Sequence, residues 1–175
     1  MPKTFRLSQI FLWLFVVFLS ILVGAAVYET LVVWPANFGA PPQSVWTLSD
    51  FWRDHPSLRP DSGFHFWIFF TPTTGLLALV NVIFALRASG KYRMLLLLAS
   101  VPVVILISAT FVYYVPTLGV IWDSQELGLS GDLVAAKVNM WLMLNSVRAV
   151  ILVVCWFFLL RAFGLSHQNS QPLPE

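Results

Sequence analysis

The sequence predicts an all-α fold, a four-helix transmembrane bundle, and two observations predict it. The 175 residues are 58% hydrophobic and only 10% charged, where soluble domains carry about a quarter charged residues. Four long apolar runs also each reach the ~20 residues needed to cross ~30 Å of hydrocarbon. Runs of this length are helices, because only helices and closed barrels satisfy every backbone group in lipid, and barrel strands are far shorter. A chain of this length forms a single membrane domain, residues 1–165, followed by a polar tail, 166–175.

The first span covers about 8–34. Lys3 and Arg6 precede it, as in a signal peptide, but the apolar stretch over residues 10–34 is too long for a signal core. The second span covers about 66–86 and the third about 94–116; Pro72 and Pro102 lie inside them, and each should kink its helix locally. The fourth covers about 136–161, and Ser130, Gly131 and Asp132 mark its start.

Positive charge in short loops sets orientation. Lys3, Arg6, Arg87, Lys91, Arg93 and Arg161 share one side, which is expected to be cytoplasmic, whereas Glu29, Asp50, Asp54, Asp61, Asp123, Glu126 and Asp132 lie toward the other. Both termini are therefore expected inside, with two longer loops outside, in a bacterial inner membrane. The first loop, about 35–65, is rich in aromatics (Trp46, Phe51, Trp52, Phe64). It is expected to lie at the interface or fold over the bundle, with Ser49 or Asp50 capping a short helix. The tail is expected to be disordered.

The net charge of +2 gives no reason to expect nucleic acid, and the single cysteine, Cys155, allows no intrachain disulfide. The chain carries no Gly-rich phosphate loop, nucleophile elbow, CxxC or HExxH pattern. His55 and His65, ten residues apart, lack the spacing of a metal site. No metal and no cofactor is expected.

Polar residues within the spans carry the functional signal. Trp141, Asn145 and Arg148 fall at i, i+4 and i+7, on one face of the fourth span. Arg148 lies about 15 Å below the outer end of that helix and should face the interior. Glu29, about one and a half turns from the outer end of the first span, is the expected partner, directly or through Asn145 or water. Thr110, Tyr113 and Tyr114 on the third span and His65, Thr71, Thr73 and Thr74 on the second lie at similar depth, while the cytoplasmic half offers little beyond Asn81. The pattern predicts a polar pocket in the outer half. A buried ion pair that merely fixes helix register is the competing reading.

The stretches GAAVYETLVVWP, TFVYYVP and WLMLNSVR, in this order across about 10–162, resemble the anthrone-oxygenase-like membrane proteins. Tyr28, Glu29, Pro35, Pro116, Trp141, Asn145 and Arg148 are the matching positions. The resemblance implies a four-helix membrane bundle. It also implies, from some fungal members, oxidation of an anthrone to an anthraquinone without metal or flavin. On that reading Glu29 would remove a proton beside a carbonyl, Arg148 and Asn145 would stabilise the enolate, and Tyr28, Trp141, Tyr113, Tyr114 and His65 would hold the ring system. The expected partners are the bilayer, an apolar small molecule, and a membrane-protein partner or second copy. A non-catalytic accessory subunit or lipid- or pigment-binding scaffold is the alternative. The lack of internal repeats counts against a transporter.

Overall fold

The computed structural model of the chain describes residues 3–56 and 61–168, with side chains over 7–56 and 65–166. The tail expected to be disordered from Ser166 is helical as far as Gln168, where α7 ends; its remainder, 169–175, and the side chains of Lys3, Arg6, Arg59, Asp61 and Phe64 lie outside this range. No strand occurs among the described residues. The helices are α1 (Lys3–Tyr28), α2 (Trp34–Asn37), α3 (Gln43–Asp54), α4 (Asp61–Arg87), α5 (Gly90–Ala109), α6 (Val115–Trp122) and α7 (Gly131–Gln168). Two five-residue π-helical segments, π1 (Glu29–Val33) and π2 (Thr110–Tyr114), join α1 to α2 and α5 to α6 without a break.

Among the described residues four helical stretches are long and apolar enough to cross a membrane: Leu7–Asn37, His65–Arg87, Gly90–Trp122 and Gly131–Ser166. Even the shortest, 23 residues, measures about 34 Å at 1.5 Å per residue. Each is longer than its apolar run, because the helices continue past the hydrocarbon into the flanking polar sequence. The helix of the second span runs uninterrupted through Pro72 and that of the third through Pro102.

Neighbouring spans alternate in direction. Asn81 Nδ2, late in α4, donates to the Phe11 carbonyl early in α1 (3.3 Å). Trp156 Nε1 of α7 donates to Ser20 of α1 (2.8 Å). α4 and α5 form a tight hairpin through Ala88 and Ser89, followed by Gly90 at φ +61°, a backbone region that glycine enters freely. At Gly75 the second and third spans approach closely, since a Cβ there would lie 3.0 Å from Ile107 Cγ2.

The two π segments share one sequence arrangement. ETLVVWP (29–35) and TFVYYVP (110–116) each place a proline six residues after the first π residue. A proline in α register would leave the carbonyl four residues back unpaired and press its ring against it. Widening the preceding turn shifts the register by one residue. The Trp34 N–H then reaches the Glu29 carbonyl, and the Val115 N–H reaches the Thr110 carbonyl, each five residues back. Pro35 and Pro116 fall in the first turn of α2 and α6, where no N–H is needed.

Two apolar cores result. The larger runs along the spans through Leu12, Phe15, Leu19, Leu96, Val103 and Leu159. The smaller gathers Phe38, Val45, Tyr114, Ile121, Val134, Val138 and Trp141 at the end of the bundle that carries α2, α3 and α6. The first loop contributes to this second core. α3 begins at Gln43 behind Pro42, not at Ser49 or Asp50 as the capping pattern suggests, because the two prolines end the preceding segment earlier. Ser49 is therefore mid-helix, and its hydroxyl donates to the Trp122 carbonyl (3.1 Å). Trp46 Nε1 donates to Ser124 (3.3 Å), and Trp52 meets Trp122 edge-on at 4.7 Å between ring centroids. α3 thus folds over the end of α6. α7 begins at Gly131, one residue beyond Ser130, whose carbonyl takes the Val134 N–H.

Candidate functional site

Between the two cores lies a polar layer. On each of three spans it falls at the junction: Glu29 between Ala26 and Phe38, Thr110 between Ile107 and Tyr114, and Arg148 between Trp141 and Leu152. Glu29 is the first residue of π1 and Thr110 the first of π2. The widened turns therefore set the height and direction of both side chains.

Glu29 does not pair directly with Arg148. Among the described residues the one ion pair within 4.0 Å joins Arg53 to Asp50 on the exposed face of α3. The Glu29 carboxylate instead accepts a hydrogen bond from Trp67 Nε1 of α4 at 2.7 Å. Arg148 Nη1 donates to Thr110 Oγ1 at 3.3 Å, and the guanidinium carbon lies 4.7 Å from the centre of the Tyr114 ring, a cation–π contact. Thr110 can accept because its own proton is committed to the Leu106 carbonyl (2.9 Å). Arg148 Nε is buried without a hydrogen-bond partner. A cavity of about 10 Å³, lined by Trp67, Thr71, Thr110 and Arg148 among apolar neighbours, opens at this point. That volume holds about one water.

The other residues singled out from the sequence divide between different places. Asn145 is 2% exposed, its Oδ1 without a partner, and it lines a second space. This is a crevice of about 310 Å³ formed with Thr30, Trp34, Pro35, Leu142 and Ser146. The two spaces share no lining residue. Trp141 is packed within the second core, its Nε1 donating to the Tyr114 carbonyl (3.1 Å). Tyr114 is buried too, with its hydroxyl donating to the Leu144 carbonyl (2.9 Å). Tyr28 and Tyr113 are exposed on the outside of the bundle, and His65 is exposed near the start of the second span. None of these five lines either space.

Two residues of this region were not read as site residues in the sequence. Trp67 was indistinguishable from an aromatic of a lipid-facing helix surface, yet it is the carboxylate's partner. Trp34 stands at the outer end of the first span. It stacks on Phe38 (5.5 Å, 7°), stands edge-on to Trp141 (4.8 Å, 81°), and keeps its buried Nε1 without a partner. The polar groups are also less one-sided than expected. The other half of the bundle holds the bond between Ser20 and Trp156, and the buried Ser100 hydroxyl, in addition to Asn81. Among the described residues no three His, Cys, Asp or Glu side chains come together as a metal site would require.

The fold is thus a helical bundle with four helices long and apolar enough to cross a membrane among the described residues, compatible with an integral membrane protein, and a polar layer buried between two apolar cores. No protein-family model, curated protein or solved structure matches the chain.

Proposed function

We propose that the chain binds an apolar aromatic or quinone-like compound at the layer of Glu29, Trp67, Thr110 and Arg148, and that it oxidises such a compound in the manner of the anthrone-oxygenase-like proteins it resembles. The observation that carries the reading is Arg148. A guanidinium buried in a membrane bundle is normally paired with an acid. Among the described residues it has no carboxylate within 4.0 Å and no partner for its Nε, and a cavity lies beside it. The oxygen of an enolate would complete its coordination.

In this reading Glu29 takes a proton from the ring CH₂, which in an anthrone lies across the central ring from the carbonyl rather than beside it. Arg148 holds the resulting oxyanion, which stabilises charge only as it forms. Dioxygen, which partitions into lipid, is the oxidant. The ring CH₂ becomes C=O, with one oxygen atom retained and the other leaving as water with the two hydrogens. Release of Glu29 from Arg148 matters here, because a carboxylate locked to a guanidinium is a poor base. A three-ring compound does not fit in about 10 Å³, so binding requires Trp67 and Arg148 to part.

The reading sets the chain in a bacterial inner membrane with both termini in the cytoplasm. Arg87, Lys91 and Arg93 at the hairpin of α4 and α5 support that orientation. It leaves open a second copy or another membrane protein as neighbour. One observation favours the alternative of a non-catalytic subunit or scaffold: Arg148 already rests on Thr110 and Tyr114. The deciding experiment follows oxygen uptake and anthraquinone formation from anthrone, in the dark, with the full chain in lipid nanodiscs. Oxidation above the rate of protein-free nanodiscs is expected, falling about 10²–10⁴-fold in Glu29→Gln and comparably in Arg148→Met. A rate equal to that of protein-free nanodiscs removes the enzymatic reading and leaves the scaffold.

A further inference from the structure

We infer that the crevice between the end of the first span and the fourth span is a separate binding site for an apolar molecule bearing one hydroxyl group, entering from the lipid. It is formed by Thr30, Trp34 and Pro35 on one side and Leu142, Asn145 and Ser146 on the other. The inference does not rest on the reading of the Arg148 layer, with which the crevice shares no lining residue.

The crevice has hydrogen-bonding capacity to spare. Four crevice residues carry polar side chains. Two have committed their protons to their own helices: Thr30 Oγ1 donates to the Ala26 carbonyl (2.8 Å) and Ser146 Oγ to the Leu142 carbonyl (2.9 Å). The other two are unfilled. Trp34 Nε1 is a buried donor without an acceptor, and Asn145 Oδ1 a buried acceptor without a donor. Buried polar groups in native proteins are almost always paired, and the exceptions call for an explanation. Within lipid no bulk water is at hand to supply one.

The pair of deficits defines the ligand's chemistry. A hydroxyl is the smallest group that both donates and accepts, so one oxygen can serve Asn145 and Trp34 together. A ketone or ether would satisfy only Trp34. Both polar atoms are covered in this structure; the broad amide torsion of asparagine lets Oδ1 turn toward the crevice, and the hydroxyl oxygen meets Trp34 Nε1 where the crevice side chains give way. The rest of the ligand is apolar, since Leu142, Pro35 and the carbon atoms of Trp34 make up the remaining wall. The rim is formed by Pro35 and Ser146, both exposed, which opens the site sideways. About 310 Å³ lies at the small end of ligand pockets, about 300–1,000 Å³, and suits a two-ring phenol or one end of a longer molecule.

The test measures binding of 2-naphthol and of 2-methoxynaphthalene, which lacks the donor proton, to the full chain in phosphatidylcholine nanodiscs, with protein-free nanodiscs subtracted. Saturable binding of the naphthol is expected, at least tenfold tighter than that of the ether. Asn145→Leu is expected to abolish the difference between the probes. Trp34→Phe, which keeps the ring on Phe38 and Trp141 and therefore the local fold, is expected to weaken naphthol binding about tenfold. Leu142→Trp, which fills the crevice, is expected to block both probes. Equal affinity for the two probes, absence of saturable binding, or loss in Arg148→Met with retention in Asn145→Leu overturns the inference. The last result would seat the molecule at the Arg148 layer instead.

Discussion

Glu29 and Arg148 lie in one buried layer without touching: the carboxylate is held by Trp67 at 2.7 Å and the guanidinium by Thr110 at 3.3 Å. Each charge is steadied by a neutral donor or acceptor from a different helix. The arrangement ties α4 to the first span and α7 to the third, and the electrostatic attraction between the charges is spent over a distance rather than in a contact.

The bond between Trp67 and Glu29 is the stronger of the two by length, each having one charged member. Trp67→Phe removes only the donor and keeps the ring. It is expected to destabilise the protein by about 1–3 kcal/mol, the cost of a buried polar group left without its partner. In a Glu29→Gln background the same change should cost less, giving a coupling of about 0.5–3 kcal/mol. Equilibrium unfolding in mild detergent measures both. Equal losses in the two backgrounds would show that the indole contributes packing alone.

Arg148 provides a contrasting case. Replacing a buried ion by an apolar side chain of similar length is often neutral or stabilising, whereas removing one member of a true buried pair costs about 3–5 kcal/mol. Because Arg148 has no carboxylate in contact, Arg148→Met is expected to unfold at or above the parent's midpoint. A fall of about 3 kcal/mol or more would make it a structural pin, and would remove the ground for a ligand at this layer.

Gly75 controls how closely the second and third spans meet beside this cavity, which Ile107 helps to line. Any Cβ at Gly75 meets Ile107 Cγ2 at 3.0 Å, and the two further methyl groups of valine have to push the helices apart. Gly75→Val should cost about 1–3 kcal/mol, as overpacking does, and Ile107→Ala in the same chain should recover part of the loss. Thermal unfolding of the single and double variants reads this. A double variant less stable than Gly75→Val alone contradicts it.

The four spans were legible because a bilayer imposes one requirement, some twenty apolar residues satisfied within a helix, and composition reports it directly. Glu29 and Arg148 were legible for the same reason, as charges where lipid tolerates few. Their partners were not. Trp67 differs in sequence from no lipid-facing tryptophan, and only the packing of α4 against π1 turns its N–H inward. The division of Asn145 and Arg148 between two spaces was also hidden. Residues three apart share a helix face, but which neighbour each meets depends on where the first span widens. That widening is written in Pro35 and Pro116, each six residues after the first π residue. α3 was misplaced at its start because a serine before an aromatic pair looks like a cap, and nothing local reveals that Ser49 bonds to Trp122, 73 positions away.

The two π turns amount to one added residue in each of two helices. A relative whose first span ran as plain α-helix would be one residue shorter between Ala26 and Pro35, and one whose third span did so would be one residue shorter between Ile107 and Pro116. Removing that residue would turn everything beyond it by about 100°, one step of an α-helix, and with it carry Trp34 or Tyr114 off the second core. The two spans are therefore keyed in length: a deletion as small as a single valine in 29–33 or 110–114 would leave hydropathy untouched, yet swing the α2 end of the first span or the α6 end of the third away from the partners that now hold it.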